Sequence, residues 1–210
     1  MTRGWRANRG ANDVLSRARN VWRRVLQSWG NSEVKRATWN SEFAEGRWDY
    51  IAETPGDCVY GFVEKYADKG DILDLGCGSG NTGNELDYSA YRSYVGVDVS
   101  DVAIQKAIDR TSRNGRASKN RYVRSDLLAY RPQGTYRVVL FRESLYYVPR
   151  REIAGMLKRY RRCLADDGVI VVRLCDRERY RGIRELVRRR FDVVEEFQPD
   201  DSSTVVLVFR

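Results

Sequence analysis

The middle of the sequence sets three aspartates around a run of small residues. An apolar stretch, Asp71-Ile72-Leu73-Asp74-Leu75, feeds Gly76-Cys77-Gly78-Ser79-Gly80. Glycines at 76, 78 and 80 let the backbone come close to a ligand that a Cβ would hold off. A second apolar run, Val95-Gly96-Val97, ends at Asp98, 18 residues after Gly80. A carboxylate there can accept both hydroxyls of a ribose. Further on stands Asp126, followed by Leu127 and Leu128. That carboxylate can reach the exocyclic nitrogen of an adenine, and the leucines can cover its ring. A dinucleotide fits poorly. The third glycine of G-x-G-x-x-G would fall on Asn81, and Asp74 attracts an ammonium group while repelling a pyrophosphate. Asp98 or Asp126 alone also reads as a turn or helix cap, so their order and spacing carry the argument.

The sequence contains no histidine. This removes Ser-His-Asp and Cys-His hydrolysis, His-ligated zinc and any imidazole base. The four cysteines, Cys58, Cys77, Cys163 and Cys175, are far apart and form no C-x-x-C pair, so neither a disulfide framework nor a zinc site is expected. A reducing, cytoplasmic setting is the expectation. Apolar runs such as 169–172 are too short to span a bilayer.

These groups need a scaffold that brings strand ends together. The spacing predicts strands at 71–75, 94–97, 121–123, 137–141 and 169–174. Helices are predicted between them at 82–88, 101–112, 150–164 and 177–190. Ser100 and Pro149 stand where helices should start. Strands alternating with helices imply a mostly parallel α/β sheet covered on both faces. Two last strands, 191–197 and 204–209, flank a short turn at 198–201 and must pair antiparallel. Upstream, helical spacing runs over 32–51 and 58–66, interrupted at Pro55-Gly56.

Residues 1–30 hold seven arginines against one acid, Asp13, which leaves 31 bases and 28 acids for the remaining 180 residues. Residues 1–11 read as flexible. From 12 to 29, Val14, Leu15, Val21, Trp22, Val25, Leu26 and Trp29 recur at helical spacing opposite the arginines, a basic amphipathic helix closed by Gly30. Such an extension is either a solvated leader or a contact for nucleic acid or anionic membrane. The organisation expected is this extension, a helical lid at 31–66 and a core at 71–210. The arginine-rich stretch 177–190 reads as a solvated outer face.

Asp74-Leu75-Gly76-Cys77-Gly78-Ser79-Gly80, Val97-Asp98-Val99-Ser100 and Ser125-Asp126-Leu127 together resemble the successive motifs of the class I, seven-stranded S-adenosylmethionine-dependent methyltransferases. The resemblance covers about residues 71–210. It implies a Rossmann-like three-layer sandwich with strand order 3-2-1-4-5-7-6 and strand 7 antiparallel. It implies S-adenosylmethionine as cofactor and S-adenosylhomocysteine as product. Asp74 and the backbone of Gly76, Cys77, Gly78 and Gly80 would hold the methionine moiety, Asp98 the ribose, and Asp126 and Leu127 the adenine, with Val99 a further cofactor-binding residue.

Family position puts the methyl acceptor beyond the fourth strand, at Arg142-Glu143-Ser144-Leu145-Tyr146-Tyr147. That stretch resembles one in small bacterial methyltransferases of natural-product and sugar type, including the nodulation N-methyltransferases that act on chitooligosaccharides. The Asn/Asp-Pro-Pro-aromatic motif of amino-directed nucleic-acid enzymes is absent. Arg142, a cofactor-site position, stands where those relatives are expected to carry Asn, and suits an anionic acceptor. Glu45-Gly46-Arg47-Trp48-Asp49-Tyr50 resembles the same enzymes' N-terminal lid. Arg47 would then pair with the methionine carboxylate, while Trp48, Tyr50, Tyr146 and Tyr147 would wall the acceptor pocket.

The implied chemistry is an in-line displacement without a metal, in which alignment alone can supply roughly 7–11 kcal/mol. A hydroxyl acceptor needs a base. Glu143 is the first candidate, then Tyr146 or Tyr147, with an orienting or capping carboxylate as the other reading of Glu143. The expectation is methyl transfer to N or O of a small molecule by a monomer or homodimer. The alternatives are an RNA methyltransferase using the basic N-terminus and a non-catalytic cofactor-binding subunit.

Overall fold

The computed structural model describes residues 22–51, 54–200 and 202–210. Its centre is one seven-stranded sheet: β1 (Asp71–Leu75), β2 (Ser93–Asp98), β3 (Asn120–Arg124), β4 (Tyr136–Arg142), β5 (Leu164–Leu174), β6 (Val193–Phe197) and β7 (Val205–Phe209). The order is β3-β2-β1-β4-β5-β7-β6, as the resemblance implied. Only β7 runs antiparallel to its neighbours, β5 and β6.

Both faces of the sheet are covered, which explains the unbroken apolar runs. Ile170 and Val172 pack with one cluster, whereas Val169 and Val171 pack with the other. On the first face lie α6 (Arg150–Arg161) and α7 (Arg181–Arg190), which bury Ile153, Leu157, Ile183 and Val187. On the second lies α3 (Cys58–Ala67), burying Val59 and Val63. α3 is therefore a layer of the sandwich and not part of a lid. α2 (Ser32–Ala44) rests against α5 (Asp101–Arg113), which packs on β2 and β3. Ser100 caps α5 as its sequence position predicted, accepting from the Ala103 N–H at 3.1 Å.

Several boundaries differ from expectation for local reasons. The helix after β1, α4 (Asn81–Glu85), is a single turn, because Leu86 leaves helical geometry at ψ 148° and is fully buried. α7 starts at Arg181 and not at 177, because the Asp176 carboxylate accepts the N–H groups of Glu178 and Arg179 and holds a turn there. β5 begins five residues early, at Leu164 beside Tyr136, with a register shift before Val138. The segment expected as one helix to 51 stops at Ala44, and Gly46 at φ 69° reverses the chain. That reversal lays Trp48 against Trp39 at 5.7 Å, ahead of a short 3-10 turn at Asp49–Ile51.

The basic amphipathic helix is described over residues 22–29, here α1. Its rotation is unexpected. Trp22, Val25, Leu26 and Trp29 are exposed, while Gln27 is buried and Arg23 pairs with Glu42 at 3.1 Å. The polar side faces the body. Its earlier part, like the flexible stretch 1–11, lies outside the described residues.

Candidate active site

The C-terminal ends of β1, β2 and β4 share one cavity, the place where open α/β sheets bind ligands. Gly76 and Gly78 form its floor. Asp98 and Val99 line one wall, and Asp126, Leu127 and Leu128 continue it. Arg142, Glu143, Ser144 and Tyr147 line the opposite wall. The roof comes from Gln27 of α1, Lys35, Trp39 and Phe43 of α2, and Trp48.

The turn after β1 holds its shape through Asp98. Its Oδ2 accepts the Gly78 N–H at 3.0 Å and its Oδ1 accepts the Ser100 N–H at 2.9 Å. Burial pushes the Asp98 carboxyl up, and those backbone N–H groups oppose the shift. The three glycines divide their work differently from expectation. Gly78, at φ 53°, faces the cavity, where a Cβ would sit 3.5 Å from Phe43. Gly80, at φ 76°, lies outside the cavity lining, and a Cβ there would strike Ala107 and Tyr122 at 2.8 Å. Gly80 serves packing, not ligand approach. Cys77 likewise points down, beneath the position where a Cβ on Gly96 would meet its sulfur at 2.8 Å.

Asp74 is also displaced from its expected role. Strand alternation puts it on the face of Ile72, one layer behind the turn, where it is 1% exposed and outside the cavity lining. Its Oδ2 accepts the Tyr94 hydroxyl at 2.5 Å, and its Oδ1 has no hydrogen-bond partner. Burial pushes its carboxyl up to about 6, against the Tyr94 hydrogen bond and the Arg142 charge.

At the far end, both Asp126 oxygens are engaged. Oδ1 accepts the Leu128 N–H at 2.7 Å, and Oδ2 pairs with the Lys35 ammonium at 3.0 Å. Lys35 is a cavity residue that sequence reasoning missed, since one lysine on a polar helix carries no signal.

At the opposite end, Glu143 holds a left-handed backbone at φ 56°, a strain of about 1–3 kcal/mol for a non-glycine residue. Its carboxylate is fully committed. Arg173 pairs with Oε1, while the Tyr146 hydroxyl at 2.7 Å and the Cys175 N–H at 3.2 Å reach Oε2. Arg173 and Arg142 also share Asp57, at 3.1 and 2.7 Å. Burial alone would raise the Asp57 carboxyl, but the two guanidiniums outweigh it and hold it below the usual range. Asp57 and Arg173 were missed too. The one available signal was an arginine near the end of the buried run Val169–Leu174.

Burial disfavours either tyrosine as a base. Burial, with the Glu143 charge, pushes the Tyr146 phenol far up, and burial beside Tyr180 does the same to Tyr147. Both stay protonated at neutral pH. Tyr147 lines the cavity edge-on to Trp39 at 4.8 Å, whereas Tyr146 lies outside it, stacked on Tyr180 at 4.3 Å. Two lid residues also fall outside. Arg47 is exposed and paired with Glu45 at 2.7 Å, and Tyr50 is 76% exposed against Trp48. Gly46 turns the chain so that Trp48 alone of that segment points in.

The residues present suit a nucleoside carrying an amino-acid tail: a glycine facing the cavity, a carboxylate beside it, a leucine-covered acid at one end and a guanidinium at the other. Residues 47–198 match the family described as a methyltransferase domain, and the chain belongs to that family. Among solved structures, it is similar to N-methyltransferase NodS from Bradyrhizobium japonicum WM9 in complex with S-adenosyl-L-homocysteine, at 18% identity and TM-score 0.60 over 72% of this chain and 85% of that one. It is similar to magnesium protoporphyrin IX methyltransferase from Synechocystis PCC 6803 with bound SAM, at 16% identity and TM-score 0.66 over 85% and 96%. It also matches an mRNA cap guanine-N(7) methyltransferase of Debaryomyces hansenii, 44% identical over 43 residues. That stretch is 20% of this chain and spans 8% of the relative's length. Among the described residues, no helix is long and apolar enough to cross a membrane.

Proposed function

We propose that this methyltransferase uses S-adenosylmethionine to methylate nitrogen or oxygen of a small-molecule acceptor. The observation that carries this reading is the cavity whose lining brings together Asp126, Asp98, Gly78 and Arg142, which stand at or just past the ends of β3, β2, β1 and β4 across the sheet, in the order a nucleoside and its amino-acid tail require. The cofactor, when bound, supplies a methyl group activated on a sulfonium. Asp98 accepts from the ribose hydroxyls with lone pairs left over from Gly78 and Ser100. Leu127 and Leu128 cover the adenine beside Asp126. Arg142, half-buried and poised over the Tyr60 ring at 5.3 Å, pairs with the tail carboxylate in place of the exposed Arg47.

The acceptor enters between Trp39, Trp48 and Tyr147. These rings exclude water and present π-faces to the cationic centre. Glu143 acts as a positioning residue. Its engaged oxygens fix Tyr146 and Arg173, and through them the wall against which the acceptor rests. Chemistry then rests on alignment, and an amine acceptor arriving neutral needs no base. Acceptance of nucleic acid is the second reading, favoured by the short similarity to the cap enzyme and by the seven arginines of residues 1–30.

Incubation with S-adenosylmethionine and panels of amines, sugars and phenols, read by mass spectrometry, tests the proposal. A gain of one methylene on a small acceptor is expected. Methylation of RNA alone would overturn the small-molecule assignment.

A further inference from the structure

The charge of the folded body is segregated, a feature its near-zero sum concealed. Residues 150–162 carry six bases and one acid, and residues 177–190 carry seven bases and two acids. These two stretches alone hold a net +10, while residues 31–149, 163–176 and 191–210 together hold −7. The structure sets the two stretches side by side. α6 and α7 bury Ile153, Leu157, Ile183 and Val187 in the same cluster, so their outer sides form one face.

Most of these bases are exposed, the buried Arg184 and the partly buried Arg159 and Arg177 apart, and many stand alone. Arg150, Lys158, Arg161, Arg162, Arg189 and Arg190 have no ion-pair partner among the described residues. Helix electrostatics explains part of the pattern. Cations at the ends of α6 and α7, such as Arg161 and Arg190, complement the helix dipole. The same dipole disfavours Arg150 and Arg151 in the first turn of α6 and Arg181 in the first turn of α7. Something other than helix stability keeps positive charge along the whole length of both helices, about 18 Å for α6 and about 15 Å for α7.

Where this face meets the active end of the sheet, it opens into a second groove. Trp29, Tyr146, Tyr180, Arg150 and Arg179 line it. Arg151 lies over the Trp29 ring at 5.0 Å, and Arg179 over the Tyr180 ring at 5.6 Å. Each arginine can swing from its ring to a phosphate and leave the ring to a base.

We propose that the α6–α7 face binds single-stranded RNA, with phosphates along the helices and a base stacked in the Trp29–Tyr180 groove. An anionic membrane is the less suitable partner. It would want apolar side chains projecting all along the arginines, whereas the exposed Trp29 of α1 stands only at one end of the face and none of the large exposed hydrophobic residues lies on α6 or α7 themselves. Rings beside guanidiniums are the combination that single strands use. This surface lies outside the cofactor cavity, so the proposal stands independently of the acceptor.

The test uses the full chain and fluorescein-labelled oligoadenylate, read by anisotropy across a salt series. Arg161→Glu, Arg162→Glu, Arg189→Glu and Arg190→Glu combined should flatten the log–log salt slope by about 3, four contacts at ~0.7 each. Trp29→Ala should weaken binding about tenfold with the slope unchanged. S-adenosylhomocysteine affinity, unchanged in both variants, shows that each has folded. Wild-type affinity and slope in the fourfold variant would overturn the proposal. So would capture by phosphatidylglycerol vesicles in the absence of RNA binding.

Discussion

Replacing Asp74 by Asn should stabilise this protein at neutral pH, although it alters the motif that most resembles a cofactor contact. Asp74 is 1% exposed, one of its oxygens has no partner, and burial raises its carboxyl from 3.8 to about 6. A folded-state pKa above the unfolded value means that the folded state binds the proton more tightly. The stability linked to that proton is fully present below the unfolded pKa and is lost as pH rises through about 6. Two pKa units correspond to about 3 kcal/mol of cost at pH 8, of which roughly half is already incurred at pH 5. Asn keeps an acceptor for the Tyr94 hydroxyl and cannot ionise. Urea unfolding at pH 5 and pH 8 reads the difference. The variant should be more stable than wild type at pH 8 by up to about 3 kcal/mol, with a smaller gain at pH 5. A loss of stability at pH 8 that exceeds the loss at pH 5 would refute the reasoning, because it would mean that the ionised carboxylate is favoured by its surroundings.

The remaining expectations concern the cavity walls and their supports. Asp98→Ala removes the acceptor for the Gly78 and Ser100 N–H groups as well as the ribose contact. Calorimetry with S-adenosylhomocysteine should show affinity down by about 2–4 kcal/mol, and an unchanged constant would remove Asp98 from the site. Asp57→Ala strands Arg142 and Arg173 without their shared partner. Chemical denaturation should show a loss of about 3–5 kcal/mol. Because the Asp57 carboxyl is held below its usual range, its contribution in wild type is present above the unfolded pKa and fades as pH falls toward the acid limb. Glu143→Gln should change cofactor affinity at least as much as turnover and leave the shape of the pH–rate profile intact. Loss of the low-pH limb from that profile would restore Glu143 as the general base.

Much of the fold was legible because its strands are buried on both faces. Runs such as Val169–Leu174 cannot lie anywhere but inside a covered sheet, and the short final turn forces β6 and β7 to pair. The walls made by Asp98, Val99, Asp126 and Leu127 were legible because strand ends converge at fixed intervals. What escaped depends on contacts distant in sequence. Lys35 reaches Asp126 across 91 positions, and Arg173 reaches Asp57 across 116. Local pattern records neither. The direction of Asp74 was open to strand alternation, which assigns it the face of Ile72, but motif position pulled the reading toward the ligand. Gly80 shows the same confusion. A glycine required by Ala107 and Tyr122 looks identical in sequence to one required by a ligand. Amphipathic spacing in α1 identified the helix, but not that its polar side would turn inward to put Gln27 over the cavity.

Isothermal calorimetry of the full chain with S-adenosylhomocysteine, set beside the same titration with NADH, tests most directly whether the cavity is built for a nucleoside with an amino-acid tail. Saturable binding of the first at a single site, with no heat from the second, is the expected result. Binding of NADH, or silence toward S-adenosylhomocysteine at millimolar concentration, would contradict it.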